Sequence, residues 1–404
     1  MTRYAVQLDP GEPTFIRDPY PVLAALRATG PVLWHEPMGM WLATTNDAVS
    51  QVLRKRAFGR IWTDREPAAQ LEPFNRLHRH QMMESENEDH ARLRRLVSGA
   101  VGRGHVERMR PRIETLAAAM IEALDDRFDV LGDYAEPMPV YVIADLLGVP
   151  REDHQLLRSW SQAIVHMYEP RVGDEVKLAA VEASTAISAY VREVVADRRQ
   201  AASAGETSED LISDLIRARG RDAKLTDDEL VASVVLLLNA GHEASVNAFG
   251  NGLHALLTYP DQLARITSGE VSMDTAVEEL IRFDAPLQLF ERTATADVEV
   301  SGQLIRAGQK VACLMGSANR DSAAFAVRGQ SGADVLDVGR DPNPHVGFGM
   351  GKHFCLGAPL ARLELQISMT HLLRRFPRLR LVGEAPRRPT WVLRGFERID
   401  VEAV

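Results

Sequence analysis

The strongest constraint on the fold is a helical pattern of roughly thirty residues near the middle of the chain. Thr226 and Glu229 form a capping box, in which the hydroxyl and the carboxylate satisfy free N–H groups of the first turn. The apolar pattern then continues to about Thr258 and stops before Pro260. A helix of that length extends on the order of 45–50 Å, so it can cross a whole domain. Helices this long and this apolar usually lie through the centre of a fold.

The segments on either side of this helix predict a mainly α chain with small β-sheets. Through residues 89–217, apolar residues recur at three- and four-residue spacing, as in amphipathic helices. After a second predicted helix over 274–283, short β-rich segments such as 293–295 alternate with glycine turns. A last helix is predicted over 359–376. Because no repeat or linker interrupts the sequence, we predict a single domain over residues 1–404.

Composition and charge argue against several classes of protein. The net charge of -9 and the pI near 5.8 disfavour a general nucleic-acid binder or a protein of anionic membrane surfaces. Prolines and charges near the start interrupt any signal-peptide core, and the most apolar run, 231–240, is too short to span a bilayer. The two cysteines, Cys313 and Cys355, make neither a disulfide framework nor a Cys-rich zinc site. We therefore expect a soluble, cytoplasmic monomer with no nucleic-acid or membrane partner.

The segment from Phe348 to Gly357, FGMGKHFCLG, is the strongest functional signal in the chain. Three glycines surround a single cysteine in ten residues, directly before a proline-started helix. Glycine permits backbone conformations barred to other residues, so the chain can approach a flat ligand closely. The turn and the following helix N-terminus favour a thiolate at Cys355, and such a thiolate can ligate haem iron. An isolated cysteine is more often a plain buried thiol, which is our interpretation of Cys313 on its apolar strand.

This segment resembles the haem-binding signature of the cytochrome P450 family, and the resemblance extends over the whole chain. The signature positions are Phe348, Gly349, Gly351, His353, Cys355 and Gly357. The resemblance implies the cytochrome P450 fold, a single triangular-prism-like domain around haem b, with Cys355 as the axial ligand of the iron. It also implies a monooxygenase that uses O2 and electrons from an external redox partner, since the chain carries no flavin or ferredoxin module of its own.

Glu279 and Arg282 resemble the Glu-x-x-Arg motif of the family. At i,i+3 both side chains share one helix face and can pair. In the family this pair bonds to an arginine in the loop before the cysteine. Here the loop is longer than usual and Val335 stands at that position, so the candidates for the third arm are Arg328 and Arg340.

Four further residues match positions that hold the haem propionates in the family. His90 and Arg94 resemble its His-x-x-x-Arg pair and share a helix face at i,i+4. Arg292, which we expect to open a strand, and His353 match the other two positions. Cations and imidazole N–H groups bind carboxylates through charge-assisted hydrogen bonds, so the resemblance implies a propionate site.

The segment AGHEAS on the central helix resembles the oxygen-binding stretch of the family, with one departure. Gly241 would let the helix bulge beside the iron, and Glu243 would help to relay protons. The usual threonine after the acid is replaced by Ala244, whose methyl can neither donate a hydrogen bond nor hold a water. Three explanations remain open. In the first, a substrate hydroxyl completes the relay, as in some bacterial macrolide hydroxylases with the same Glu-Ala-Ser order. In the second, Ser245 or Asn247 with ordered water does so. In the third, the enzyme couples phenols or indoles and needs less of a relay. We favour the first, a substrate with its own hydroxyl or another polar group.

The resemblance also indicates where substrate and redox partner bind. The pocket for a medium-sized organic substrate, expected to be a secondary metabolite, should be lined by 60–83, 164–172, 235–239, 286–290 and 392–396. An acidic, ferredoxin-type partner would be steered by a basic cluster. Its members are Arg92, Arg94, Arg95, Arg103, Arg108, Arg110 and Arg112.

Other functions compete with hydroxylation by a P450. A catalyst of oxidative coupling or a peroxide-driven enzyme would use the same Cys355, although the retained Glu243 argues against peroxide use. A haem-free, P450-shaped docking module would lose the cysteine and the Glu-x-x-Arg pair, and this chain keeps both. A haem-based gas sensor would bring an output domain, which the sequence does not show.

Overall fold

The computed structural model describes residues 8–100, 103–169, 172–218, 224–325 and 331–404. The helices are α1 (Pro13–Arg17), α2 (Tyr20–Thr29), α3 (Asn46–Arg54), α4 (Glu72–Arg79), α5 (Asn87–Ala100), α6 (Arg103–Glu122), α7 (Pro137–Leu147), α8 (His154–Val165), α9 (Asp174–Ser203), α10 (Leu211–Arg217), α11 (Asp227–Thr258), α12 (Pro260–Thr267), α13 (Met273–Phe283), α14 (Met315–Ala318), α15 (Ser322–Phe325) and α16 (Ala358–Arg375). The strands are β1 (Val32–His35), β2 (Met40–Ala43), β3 (Phe58–Gly59), β4 (Arg127–Asp129), β5 (Leu289–Ala294), β6 (Val298–Val300), β7 (Gln303–Ile305), β8 (Lys310–Leu314), β9 (Leu379–Leu381) and β10 (Asp400–Ala403). The predicted class, mainly α with small sheets, is confirmed.

The chain divides into two compact units. The sheet unit consists of Met1–Gly59, Glu114–Glu136 and Ala244–Val404. The helical unit consists of Arg60–Ile113 and Pro137–Glu243. The single domain expected from the sequence stays a prediction, and the two units are described separately below.

The sheet unit is organised around a five-stranded sheet with the strand order β1-β2-β8-β5-β3. Strands β2 and β8 are parallel, and the other neighbours are antiparallel. One face of this sheet packs on a core that includes Phe58, Val311, Cys313 and Met315. Cys313 is fully buried, and burial raises the pKa of its thiol to about 12. The interpretation of Cys313 as a plain buried thiol is therefore confirmed.

The helical unit is built from packed helices, with α9 in contact with α4, α8 and α10. The capping box at the start of α11 is present as expected: Thr226 N–H donates to Glu229 Oε2 at 2.9 Å, and Glu229 N–H donates to Thr226 Oγ1 at 3.2 Å. In the part of the chain that the structure describes, α11 is the one helix long and apolar enough to cross a membrane by length and composition. Its most apolar stretch is 78% buried within the protein, as is usual for a core helix.

Two details of the prediction were wrong, and both concern strand pairing. Arg292 does not open its strand, because β5 already begins at Leu289, which pairs with Leu314 of β8. The stretch 89–217 is not helical throughout, since β4 interrupts it and pairs with β10. The predicted helices over 274–283 and 359–376 are confirmed as α13 and α16.

Candidate functional site

The loop before α16 holds Cys355 through backbone contacts that require glycine. Gly349 and Gly351 both have φ +70°, a conformation that L side chains rarely adopt. A Cβ atom on Gly351 would lie 2.4 Å from the carbonyl oxygen of Leu53, at the end of α3. The backbone N–H of Cys355 donates to the carbonyl of Phe348 at 2.9 Å, which closes the turn. The loop therefore packs tightly on α3 while the side chain of Cys355 remains exposed.

A partly buried ionic cluster that sequence reasoning missed contacts this loop. Arg362 of α16 donates to both oxygens of Glu278, at 2.6 and 2.8 Å, and lies over the ring of Phe348 at 4.4 Å. His345 Nε2 lies 3.0 Å from the same carboxylate. Burial opposes ionisation of Glu278, but its hydrogen bonds with Arg362 and His345 lower its pKa to about 2. The cluster thus fixes Phe348, seven positions before Cys355, by charge and by ring contact.

Glu279 and Arg282 form a bidentate pair with N–O distances of 2.6 and 2.8 Å, and neither side chain is exposed. The third arm is Arg340, whose Nε lies 3.1 Å from Glu279 Oε2. Val335 accepts hydrogen bonds from both arginines through its carbonyl. The other candidate, Arg328, lies outside the described residues. The longer loop thus places an arginine five residues beyond Val335 in the position of the third arm.

Two residues of the sheet unit, Arg292 and His353, are predicted to bind the haem propionates. Arg292 is 3% exposed and lies 4.4 Å over the ring of Phe290. His353 ends a short 3-10 turn in the cysteine loop and is half-buried. Gly357 caps α16, and a Cβ atom there would lie 4.0 Å from Cys355 Sγ, an ordinary contact. Packing within the chain therefore does not require glycine at position 357.

In the helical unit, the predicted propionate pair lies on α5, with His90 buried and Arg94 half-buried. On α11, Gly241 packs near Ile143, and a Cβ atom on Gly241 would meet that side chain at 3.5 Å, an ordinary contact. Glu243 is 4% exposed. The helix continues from Asp227 to Thr258 through this stretch, so the glycine does not interrupt it.

Ala244 and Ser245 follow Glu243 on α11 and belong to the sheet unit. Ser245 is 8% exposed. Asn247 is buried with its carboxamide packed against Gly395, where a Cβ atom would lie 2.0 Å from Asn247 Oδ1. Neither polar atom of that carboxamide has a hydrogen-bond partner among the described residues.

A second residue missed by the sequence analysis is a buried acid on α16. Glu364 is 5% exposed, and burial raises the pKa of its carboxyl to about 8. Burial and, to a smaller extent, the negative charge of ionised Glu364 raise the pKa of Tyr134. The hydroxyl of Tyr134 donates to the carbonyl of Ser368 at 3.0 Å. Glu364 is therefore a buried acid that is protonated at neutral pH, on the helix that follows Cys355. No charge pattern in the sequence separates it from an exposed helical glutamate.

The basic cluster of the helical unit is smaller than the sequence suggested. Arg92 donates to Glu229 Oε2 at 3.1 Å, so its positive charge is already paired with a carboxylate. Arg110 lies 3.6 Å from Glu107 in an exposed pair. The side chain of Arg103 lies outside the described residues. The exposed members that remain are Arg95, Arg108 and Arg112.

The donor set fits a haem better than a bare metal ion. Among the described residues, no three His, Cys, Asp or Glu side chains come together as a metal site. Cys355 instead offers one exposed thiol at the start of a helix, where the helix dipole favours a thiolate. Arg292 and His353 in the same unit add a cation and an imidazole suited to carboxylates. A single thiolate with cationic groups suits a metal carried in an anionic prosthetic group.

The fold and this cysteine site together define a class of haem-thiolate proteins, and the family model described as Cytochrome P450 matches residues 153–269 and 272–391. The chain belongs to the cytochrome P450 family and is a monooxygenase of that family. Among its relatives is cytochrome P450 monooxygenase PikC of Streptomyces venezuelae, 35% identical over 96% of this chain and 91% of PikC. Nocardicin C N-oxygenase of Nocardia uniformis subsp. tsuyamanensis is 37% identical over 100% of this chain and 99% of its own length.

A solved structure confirms the cytochrome P450 fold. P450BioI in complex with hexadec-9Z-enoic acid ligated acyl carrier protein superposes with a TM-score of 0.91 at 31% identity. The superposition covers 97% of this chain and 99% of P450BioI.

Proposed function

We propose that this monooxygenase binds haem b through Cys355 and hydroxylates a medium-sized secondary metabolite that carries its own hydroxyl or another polar group. The observation that carries the proposal is the cysteine loop, in which glycine-dependent packing on α3 leaves the thiol of Cys355 exposed at the start of α16. When bound, haem would supply oxygen activation: with two electrons from the redox partner and two protons, one atom of O2 would enter the substrate and the other would leave as water. The relative Nocardicin C N-oxygenase supports a metabolite substrate by analogy.

The chain's own residues have separate parts in this proposal. His90, Arg94, Arg292 and His353 bind the haem propionates, Phe348 and Gly349 shape the cysteine loop, and Gly357 leaves room for the haem beside Cys355. Glu243, beside Gly241 on α11, relays protons, and Ala244 leaves room for a polar group of the substrate that completes the relay. Ser245 with ordered water is the alternative proton donor. The Glu279–Arg282 pair is structural, because it is fully buried and bonded to Arg340.

The redox partner is proposed to be an acidic ferredoxin, and the protein is proposed to work as a cytoplasmic monomer. Exposed Arg95, Arg108 and Arg112 support an electrostatically steered encounter. Arg112→Glu should slow reduction by an acidic ferredoxin more at low salt than at high salt. Arg199→Glu on α9 makes the same charge change elsewhere in the helical unit, and it should leave the reduction rate unchanged.

The deciding experiment is the carbon monoxide difference spectrum of the reduced, haem-loaded protein. A thiolate opposite carbon monoxide gives a strongly red-shifted Soret band, so we expect that band in the wild type and in Cys313→Ala. Cys355→Ser should retain the fold and lose the band. A wild-type band at the shorter wavelength typical of a neutral ligand would contradict thiolate ligation, and loss of the band in Cys313→Ala alone would move the ligand to the other cysteine.

Substrate class is tested by spin-shift titration with hydroxylated natural products and their deoxy analogues. Turnover with a ferredoxin system and product analysis then separate hydroxylation from oxidative coupling, since coupling joins two rings without adding oxygen. Turnover by peroxide alone at the same rate would favour the peroxide-driven alternative.

A further inference from the structure

A cavity of about 460 Å³ opens in the sheet unit, and every residue that lines it belongs to that unit. It lies between the start of α2, the end of α11 and the turn that follows α13. The described residues that line it are different from those of the cysteine loop and of the predicted haem and oxygen sites. Arg394 is its one described residue from a segment predicted to line the substrate pocket, and its guanidinium donates to the carbonyls of Ile16 and Arg17 at 2.5 and 2.9 Å. The cavity is large enough for a small organic molecule.

Two arginines at this cavity share one buried carboxylate. Arg387 Nη2 and Arg394 Nε donate to the two oxygens of Asp284 at 2.7 and 2.8 Å. The hydroxyl of Tyr20 donates to the same carboxylate at 2.8 Å. Burial opposes ionisation of Asp284, but the charges of both arginines and the hydrogen bond from Tyr20 lower its pKa. The carboxylate is therefore ionised at neutral pH, and each of its oxygens already accepts a hydrogen bond.

Arg320 adds a third cation to the wall of the cavity. Its guanidinium is buried and donates through Nε to the carbonyl of Phe283 at 2.8 Å. It also lies 3.6 Å from Asp334, but that side chain is 71% exposed, so water screens the attraction. Arg17 and Asp18, both exposed, carry opposite charges. Among the described residues, the inner wall therefore has three guanidinium groups for one buried carboxylate.

Two half-buried side chains of the cavity have N–H groups without an acceptor among the described residues. Arg387 donates through Nη1 to Asn251 at 2.9 Å and through Nη2 to Asp284, whereas its Nε donates to none of them. His254, on α11, lies 4.5 Å from the ring of Phe396, and neither of its ring nitrogens is hydrogen-bonded to a described residue. Burial lowers the pKa of His254 to about 4, and the charge of Arg387 acts in the same direction, against that of Asp284. The ring is therefore neutral at pH 7 and carries one N–H donor.

We propose that this cavity binds a small organic anion in addition to the substrate, with its carboxylate or phosphate group on the N–H groups of Arg387 and His254. Guanidinium and imidazole N–H groups bind such oxyanions through charge-assisted hydrogen bonds. The excess positive charge of the inner wall favours an anion over a neutral molecule, in a chain whose net charge is -9. The rings of Tyr20, Tyr259 and Phe283 line the same cavity and suit an aromatic or apolar remainder of the ligand. Binding at this site does not depend on the haem chemistry proposed above.

Isothermal titration of the haem-loaded protein with phenyl phosphate, at constant ionic strength, measures this binding directly. We expect one saturable site and no movement of the Soret band, since the cavity is not part of the predicted haem site. Phenol, the neutral analogue, should bind at least about tenfold more weakly, because it lacks the charged acceptor. Arg387→Met should weaken the binding of phenyl phosphate about tenfold or more, the value of one hydrogen bond to a charged group. Arg388→Met is the matched control and should bind as the wild type does, because Arg388 is also half-buried and donates to Glu136 at 2.6 Å, but lies outside the cavity.

Two further variants keep the Asp284–Arg387 pair and so separate binding from folding. Ala24→Phe fills the cavity from α2 and should abolish binding. His254→Phe keeps a ring against Phe396 but loses the N–H, so it should weaken binding about fivefold. The carbon monoxide spectrum of both variants should be that of the wild type. Unchanged affinity in Ala24→Phe and Arg387→Met, no saturable binding to the wild type, or a Soret shift with the same affinity would overturn the proposed site, while leaving the assignment of Cys355 as it stands.

Discussion

Arg340 lies against Glu279, with its Nε 3.1 Å from Oε2, and both side chains are completely buried. Glu279 also pairs with Arg282 and accepts from the backbone N–H of Asp337 and from Asn343. One carboxylate therefore accepts hydrogen bonds from two buried guanidinium groups. Since the arginines also bond to loop carbonyls, the cluster fastens the segment before the cysteine loop to α13.

This arrangement predicts an order of destabilisation. Glu279→Gln leaves two buried cations without their anion and should lower the free energy of unfolding by about 3–5 kcal/mol. Arg340→Met leaves the Glu279–Arg282 pair in place and should cost less, about 2 kcal/mol. Arg110→Met breaks an exposed pair of the same i,i+3 spacing as Glu279–Arg282 and should change stability by less than about 0.5 kcal/mol. Urea unfolding measures all three, and an Arg340→Met effect as small as that of Arg110→Met would contradict this account.

The sequence predicted the motif residues but not the partners that come from distant parts of the chain. The spacing of Glu279 and Arg282 is visible in the sequence, whereas the choice between Arg328 and Arg340 depends on how a longer loop folds back. Strand β4 was missed because its partner, β10, lies near the C-terminus, and pairing of that kind leaves no local pattern. The buried, unpaired acceptor on Asn239 depends on how separate segments pack around α11, so no single segment indicates it.

A second prediction concerns the glycines of the cysteine loop. Gly351→Ala places a Cβ atom 2.4 Å from the carbonyl oxygen of Leu53 and forces φ +70° on alanine. It should destabilise the haem-free protein by at least about 1–2 kcal/mol, since the left-handed conformation alone costs that much. Gly357→Ala has no such contact and should leave the haem-free protein as stable as the wild type, while reducing haem uptake if position 357 faces the haem. Equal stability of the two variants by thermal unfolding would refute the packing argument.

A third prediction is a pH effect of Glu364. Burial raises the pKa of its carboxyl from 4.5 to about 8 in the folded protein. As the pH rises above 4.5, the unfolded chain loses this proton first, so folding stability falls until about pH 8 and then levels off. Glu364→Gln should remove the contribution of this carboxyl to the fall in folding stability, which amounts to a few kcal/mol in total. The measurement is the free energy of unfolding at pH 6 and pH 9, with Glu88→Gln as an exposed control.

A fourth prediction tests how protons reach the active site. If a substrate hydroxyl completes the relay, Ala244→Thr fills the space of that hydroxyl, so substrate affinity and the coupling of electrons to product should both fall. Ser245→Ala should then leave coupling nearly unchanged, because Ser245 is not needed. The ratio of product to reducing equivalents consumed separates the explanations: a large loss in Ser245→Ala with no effect of Ala244→Thr would favour a serine–water relay.

The last prediction follows from the unpaired acceptor on Asn239 and needs neither haem nor substrate. Replacing Asn239 with leucine removes a buried oxygen that has no partner among the described residues, so Asn239→Leu should raise the free energy of unfolding by about 1 kcal/mol. Asn75 is the matched control, since it is also a buried asparagine of the helical unit. Its carboxamide is fully used: Oδ1 accepts from the N–H of Arg65 at 2.9 Å, and Nδ2 donates to the carbonyl of Arg65 at 3.1 Å.

Asn75→Leu should therefore lower stability by about 1–3 kcal/mol, because both backbone groups of Arg65 lose their partner. Opposite signs for the same substitution at two buried asparagines would show that the hydrogen-bond pairing of the carboxamide, and not its burial, decides its effect on stability. Should Asn239→Leu instead destabilise the protein as much as Asn75→Leu, Oδ1 must have a structural partner in solution.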